Sequence, residues 1–192
     1  MNKKVKKKNP LKLKACAVAL SLWGLSAVFT FSSSPVMAAE TASNAAQEQV
    51  AKALFDKGVD LDNLHRYEEA LAAYNDVIKR FGNSQDTTIQ EQVAKALFDK
   101  GVALDNLHRY EEALAAYNDF ITRFGNSQDT KIQEQVAMAL FNKGGDLYNL
   151  HRIGQARADW EELVYRFKDN PDVKIQKSVK DARHNLLVTR NF

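Results

Sequence analysis

The strongest constraint on this chain is that it repeats itself every 43 residues. The run Gln47-Glu48-Gln49-Val50-Ala51-Lys52-Ala53-Leu54-Phe55-Asp56-Lys57-Gly58 returns from Gln90 and, with two changes, from Gln133. Copies 47–89 and 90–132 differ only at Asp60/Ala103, Val77/Phe120, Lys79/Thr122 and Thr88/Lys131. The third copy, 133–175, keeps its first half and drifts in its second, and a fourth begins at Gln176. A period of this length marks one supersecondary unit stacked on copies of itself, because a single small unit cannot bury its apolar face alone. With three prolines and 45% apolar residues, the units are expected to be helical and little broken.

Each copy reads as two helices. Tyr67, Ala70, Leu71, Tyr74, Val77, Ile78 and Phe81 recur at spacings of three and four, a single apolar stripe with Glu68, Glu69, Asn75, Asp76 and Lys79 off it. Gly82 is the expected stop of that helix. Thr87 with Gln90, and Thr130 with Gln133, are the expected capping boxes of the next one. That helix should run to about Leu104, with Val93, Leu97, Gly101 and Leu104 on one side. Glu48 stands four residues before Lys52, a surface pair worth about 0.2–0.5 kcal/mol. The end of the stack needs a solvated cover. The segment from Asp172 offers Val173, Ile175, Val179, Ala182 and Leu186 inward and Lys and Arg outward, so residues 176–192 are expected to be a capping helix and tail.

On these residues the chain resembles the tetratricopeptide repeat (TPR) family. Leu54, Gly58, Leu61, Tyr67, Ala70 and Tyr74 follow its pattern of large residue, glycine, large residue, tyrosine, small residue and aromatic. Leu97, Gly101, Leu104, Tyr110, Ala113 and Tyr117 repeat it, as do Leu140, Gly144, Leu147, Ala156 and Trp160, with Ile153 in place of the tyrosine. The chain departs from the family in its longer period, in Lys57 for a usual leucine, in His65 for a usual glycine, and in Phe81-Gly82 for a proline ending. The resemblance implies an all-α fold, a right-handed α-solenoid of stacked antiparallel hairpins. Gly58 would let the two helices approach closely, and Ala70 would sit at their crossing. It also implies a concave groove lined by the first helix of each repeat. Carried over position by position, that groove presents Lys52, Phe55, Val59 and Asp62, then Lys95, Phe98, Val102 and Asp105, then Met138, Phe141, Gly145 and Tyr148. Family members that clamp a terminal carboxylate use lysine and asparagine where this chain has Phe55 and Val59, so that clamp is not expected. The three phenylalanines either pack between repeats or anchor an apolar peptide side chain.

Ahead of the repeats, residues 1–38 hold seven lysines and no acid, then an apolar run from Ala15 to Phe31, then Pro35-Val36-Met37-Ala38. This is the layout of a secretory signal, with cleavage expected after Ala38, Ala39 being the next candidate, and residues 39–46 as a short lead-in; the alternative is an uncleaved N-terminal anchor, which Pro35 and the small residues after it disfavour. Cys16, the one cysteine, sits at the start of the apolar run and not after it, so neither lipid attachment nor a disulfide is expected. Taking those seven lysines from 27 basic residues leaves 20 against 24 acidic ones. An acidic body repels a phosphate backbone, which argues against a nucleic-acid partner.

The residues that could carry chemistry do not assemble on paper. His65, His108 and His151 recur with the repeat and would lie in separate layers, each beside an arginine, so no metal is expected. Glu68-Glu69, Glu111-Glu112 and Glu161-Glu162 are neighbours that point about 100° apart on a helix, a charged outer face. Phosphate loops and nucleophile motifs are missing, and neither an enzyme nor a cofactor is expected. The expected role is an exported scaffold, periplasmic or secreted, that holds a peptide or protein of the cell envelope and has no membrane span once the signal is removed. The alternative is a structural, self-associating repeat protein.

Overall fold

The computed structural model describes residues 35–191, with side-chain surroundings from residue 42 onward. The lysine-rich start and apolar run of the expected signal, residues 1–34, lie outside the described residues. Seven helices and no strand are found among the described residues: α1 (Pro35–Asn63), α2 (Tyr67–Phe81), α3 (Thr87–Asn106), α4 (Tyr110–Phe124), α5 (Thr130–Asn149), α6 (Ile153–Phe167) and α7 (Val173–Val188). Residues 39–46 are helical and continuous with α1. None of these helices is long and apolar enough to cross a membrane.

Helices pair as α1/α2, α3/α4 and α5/α6, and each hairpin packs on the next. The first helices α1, α3, α5 and α7 also touch one another in series, whereas α2, α4 and α6 do not. The first-helix side is therefore the tighter, inner face of an α-solenoid, and the second helices splay outward. One continuous core runs through the stack, from Ala51 and Leu61 in α1 to Ile175, Val179 and Ala182 in α7. α7 packs on α5 and α6 as the terminal cover. Val173 is turned out to solvent instead of inward, because it is the first residue of α7, beyond the edge of α5 and α6.

Within each hairpin a glycine sets the approach. A Cβ on Gly58 would lie 2.4 Å from the Tyr74 ring, one on Gly101 2.4 Å from Tyr117, and one on Gly144 2.3 Å from Trp160. Ala70, Ala113 and Ala156 are fully buried beside these crossings.

The caps differ from the expected ones. Asp86, not Thr87, caps α3, its carboxylate accepting from the backbone N–H of Thr88 at 2.9 Å and of Ile89 at 3.0 Å. Asp172 caps α7 in the same way, and Asp129 caps α5 through the N–H of Ile132 alone. A carboxylate at this position also meets the positive end of the helix dipole, which a threonine hydroxyl does not exploit. Gln90 and Gln176 are freed to donate backwards to carbonyls of the preceding loop, at 2.8 Å to Ser84 and 2.7 Å to Asn170. Gly82 does close α2 as its C-cap, as expected, but not through a left-handed turn. Gly82 stays right-handed at φ −55°, and Lys168 adopts the same geometry in the third hairpin.

The left-handed residues are the histidines, His65, His108 and His151, at φ 56°, 57° and 59°. Arg66 N–H reaches Leu61 O at 2.9 Å and His65 N–H reaches Asp62 O at 2.8 Å, a Schellman end to α1 repeated at α3 and α5. In the first two turns the imidazole Nδ1 lies 2.7–2.8 Å from the hydroxyl of Tyr67 or Tyr110, which holds the ring in place. Ile153 removes that partner from His151.

Candidate binding face

The inner face is built from one side of α1, α3 and α5, and the twelve expected contact residues divide into three kinds. Lys52 and Lys95 are already engaged by acids of their own helices, Asp56 and, at 2.7 Å, Glu91. The expected Glu48–Lys52 pair is replaced by Lys52 to Asp56, while its counterpart in the second copy forms between Glu91 and Lys95. Phe55 is half-buried and turns toward α2, its ring 6.0 Å from Tyr74; Phe141 is half-buried against the core, and its backbone carbonyl accepts from Trp160 Nε1 at 3.1 Å.

Phe98 is core. It is 5% exposed, with ring centroids 6.2 Å from Tyr117 and 5.8 Å from Phe120. Two things separate it from Phe55: α3 is packed between α1/α2 and α4/α5 whereas α1 meets only α2 and α3, and Phe120, which stands where the first copy has Val77, lays its ring on Phe98. The expected apolar ladder is therefore not presented to solvent at its middle rung. Val59, Val102 and Gly145 form a half-buried row, and Met138 and Tyr148 are the open apolar positions.

Acids supply the rest. Asp62 of α1 and Asp99 of α3 are half-buried across one seam between first helices, under Tyr74. Asp105 of α3 and Asp146 of α5 face each other across the next seam, near Tyr117, whose hydroxyl accepts from Asn142 Nδ2 at 3.2 Å. Asp146 is 1% exposed. None of the four carboxyls has a basic side chain in salt-bridge range; Asp62 Oδ1 has no hydrogen-bond partner, and Asp146 Oδ2 has none when both acids are ionised, its only neighbour for a shared proton being Asp105. Burial, and then the facing Asp62 carboxylate, push Asp99 up to about 7. Burial, and then Asp105, push Asp146 up to about 8. Burial also raises Asp62, against a smaller opposing pull from His65.

Of this seam only Asp62 and Asp105 were among the expected contact residues. Asp146 had a visible signal, since an acid stands there where the second copy has the buried Ala103. Asp99 had none, because the pairing joins separate copies. The recurrent histidines stay in separate turns, and among the described residues no three acidic or imidazole side chains converge as a metal-holding group. Glu68 and Glu111, read as outer charge, cross between repeats to Arg109 at 3.1 Å and Arg152 at 2.6 Å.

The outermost groove position is open. Gly145 has nothing within 4 Å of where a Cβ would be. Beside it a cavity of about 530 Å³ lies between α5, α6 and the end of α7, walled by Tyr148, Trp160, Val188 and Thr189.

Residues 55–128 match the tetratricopeptide repeat family. The matched stretch runs from Phe55 in α1 through α2, α3 and α4 to the loop before α5. The third hairpin lies beyond it and repeats the same construction, with Gly144 under Trp160 as Gly101 lies under Tyr117. Comparison with curated proteins and with solved structures gave no match.

Proposed function

We propose that this chain is an exported, non-catalytic scaffold that holds a peptide or protein segment on the inner face of its solenoid. The observation that carries the reading is the tetratricopeptide match over residues 55–128, a repeat whose general work is protein–protein interaction, joined to an inner face that leaves carboxyls and apolar groups without partners in the chain itself. Export rests on the lysine-rich start, the apolar run and the small residues before Ala39. Sequencing the amino terminus of the protein recovered from the cell envelope should give Ala39 as the first residue. Recovery of the chain with its start intact would remove cleavage from the proposal.

The groove is tested by placing a photo-crosslinking side chain at Val59 or Val102 on the inner face and at Ala115 on the outer one. Adducts to another envelope protein are expected from the inner positions. Adducts from the outer position alone would overturn the groove. One observation favours self-association as the second reading: Val50 and Ala53 of α1 are exposed where their counterparts Val93 and Ala96 are fully buried by the preceding hairpin. Sedimentation of the mature chain separates the two, a monomer supporting the scaffold.

A further inference from the structure

Two features of the inner face lie side by side and ask for opposite halves of one ligand. The first is the α3–α5 seam, where the buried Asp146 faces the half-buried Asp105, the two carboxyls are within hydrogen-bonding reach of each other, and no counter-ion stands beside the pair. The lysines that could have neutralised the face are held by Asp56 and Glu91. The second is the cavity beside Gly145, walled on its apolar side by Val188 and by the Tyr148 and Trp160 rings, whose centroids are 6.4 Å apart, with Asn149, Asn185 and Thr189 at its polar edge. The equivalent positions of the first two copies are filled by Val59 and Val102. Only the third copy opens, because glycine replaces valine there.

We infer that this end of the groove recognises a peptide segment carrying a lysine or arginine and, a short step along, an apolar side chain: the cation at Asp105, with the buried Asp146 adding its charge from beneath, and the apolar group in the Gly145 cavity. The inference rests on the groove reading above. Its spacing follows from the stack. Asp105 and Tyr148 occupy equivalent positions of neighbouring first helices, whose axes are about 8–10 Å apart, which an extended segment covers in about three residues. The ligand therefore reads cation, two residues, apolar residue.

Protonation couples to this recognition in a known direction. Asp146 faces Asp105 from α3 and Tyr117 from α4, with Asn142 on its own helix; Asp99 faces Asp62 from α1 and Tyr74 from α2, with Lys95 on its own helix. Lys95, held by Glu91, and His65 beside Asp62 are the basic groups at the first seam, and none stands at the Asp105–Asp146 seam. With Asp146 raised to about 8, the seam carries a proton at neutral pH. A bound cation favours the ionised pair, so binding expels that proton and tightens as pH rises.

The test uses the mature chain and three fluorescein-labelled twelve-residue peptides built from repeated Lys-Ser-Ser-Leu, Glu-Ser-Ser-Leu or Lys-Ser-Ser-Ser units, read by anisotropy. The first should bind at least about tenfold more tightly than either of the others. Its affinity should rise severalfold from pH 6 to pH 8.5, with proton release seen as a buffer-dependent heat. Gly145→Val should abolish the advantage of leucine over serine while raising the melting temperature, since the side chain enters open space. Asp105→Asn with Asp146→Asn should abolish the advantage of lysine and flatten the pH profile. The four histidines also lose charge over this range and strengthen any attraction of a cationic peptide, so the profile is read against that of the doubly substituted chain; an unaltered chain whose pH dependence is no steeper than that variant's overturns the inference. Equal binding of all three peptides, or of none, overturns it too. If crosslinking from Val102 still captures a partner after such a result, the groove stands and only its chemistry is wrong.

Discussion

His151 holds a left-handed backbone that a β-carbon disfavours, and unlike His65 and His108 it has no tyrosine to lean on. Replacing His151 by glycine should therefore stabilise the protein by about 0.5–1 kcal/mol, measured as a rise in the urea midpoint. The same change at His108 should gain less, because it also removes the contact to Tyr110. The recurrence of these histidines was plain in the sequence. Their role was not, since the turn geometry is normally announced by glycine, and a histidine beside an arginine reads as any solvated turn.

Lys143 and Asp159 make a second residue-scale case, paired at 3.0 Å with little exposure of either. Asp159 stands where the first two copies have Ala73 and Ala116, so Asp159→Ala restores a packing the chain already uses and should cost about 1 kcal/mol or less. Lys143→Met leaves a buried carboxylate alone and should cost about 3–5 kcal/mol. Burial already raises Asp159, against the pull of Lys143. An acid raised in the folded state is stabilising while protonated and penalising once ionised, so the methionine variant should lose more stability at pH 8 than at pH 5.

At the level of the helix, two adjacent glycines of α5 have opposite reasons to be there. A side chain on Gly144 runs into Trp160, which is 2% exposed and has nowhere to go; one on Gly145 meets nothing. Gly144→Ala should destabilise by about 1–3 kcal/mol and Gly145→Ala should stabilise by about 0.5–1 kcal/mol, both read from denaturant midpoints. Enlarging Ala113 to leucine at the second crossing should likewise cost about 1–3 kcal/mol. The pairing of glycine with aromatic was legible, because three copies repeat it with the spacing fixed. The caps were legible only to within one residue. Asp86 and Thr87 are both good cap formers, and the choice between them turns on which backbone N–H groups the side chain reaches.

Across the molecule, contacts pass only between neighbours, so stability should be local. Arg109 and Arg152 tie successive hairpins through Glu68 and Glu111, and the ladder ends because Gly154 takes the next glutamate's place. α7 supplies the last cover, with Arg157 donating to Leu186 O at 2.8 Å at its end. Removing residues 172–192 should speed amide exchange in α5 and α6 well before it is felt in α3 and α4. The solenoid could be read from the period alone. The acid seams could not, because Asp62–Asp99 and Asp105–Asp146 join residues about one repeat apart, and no local pattern says which acids a stack will press together.

Copies 47–89 and 90–132 are interchangeable at all but four positions, so each junction in the first half of the stack is written almost twice. Excising one whole period, with Asp86 joined to Thr130, would set α2 against α5 across a surface nearly the same as the α4–α5 surface now present, changed chiefly where Val77 replaces Phe120. Such a shortened chain keeps both its ends. The reach of this protein can thus be altered in steps of a single module, with no new interface to invent.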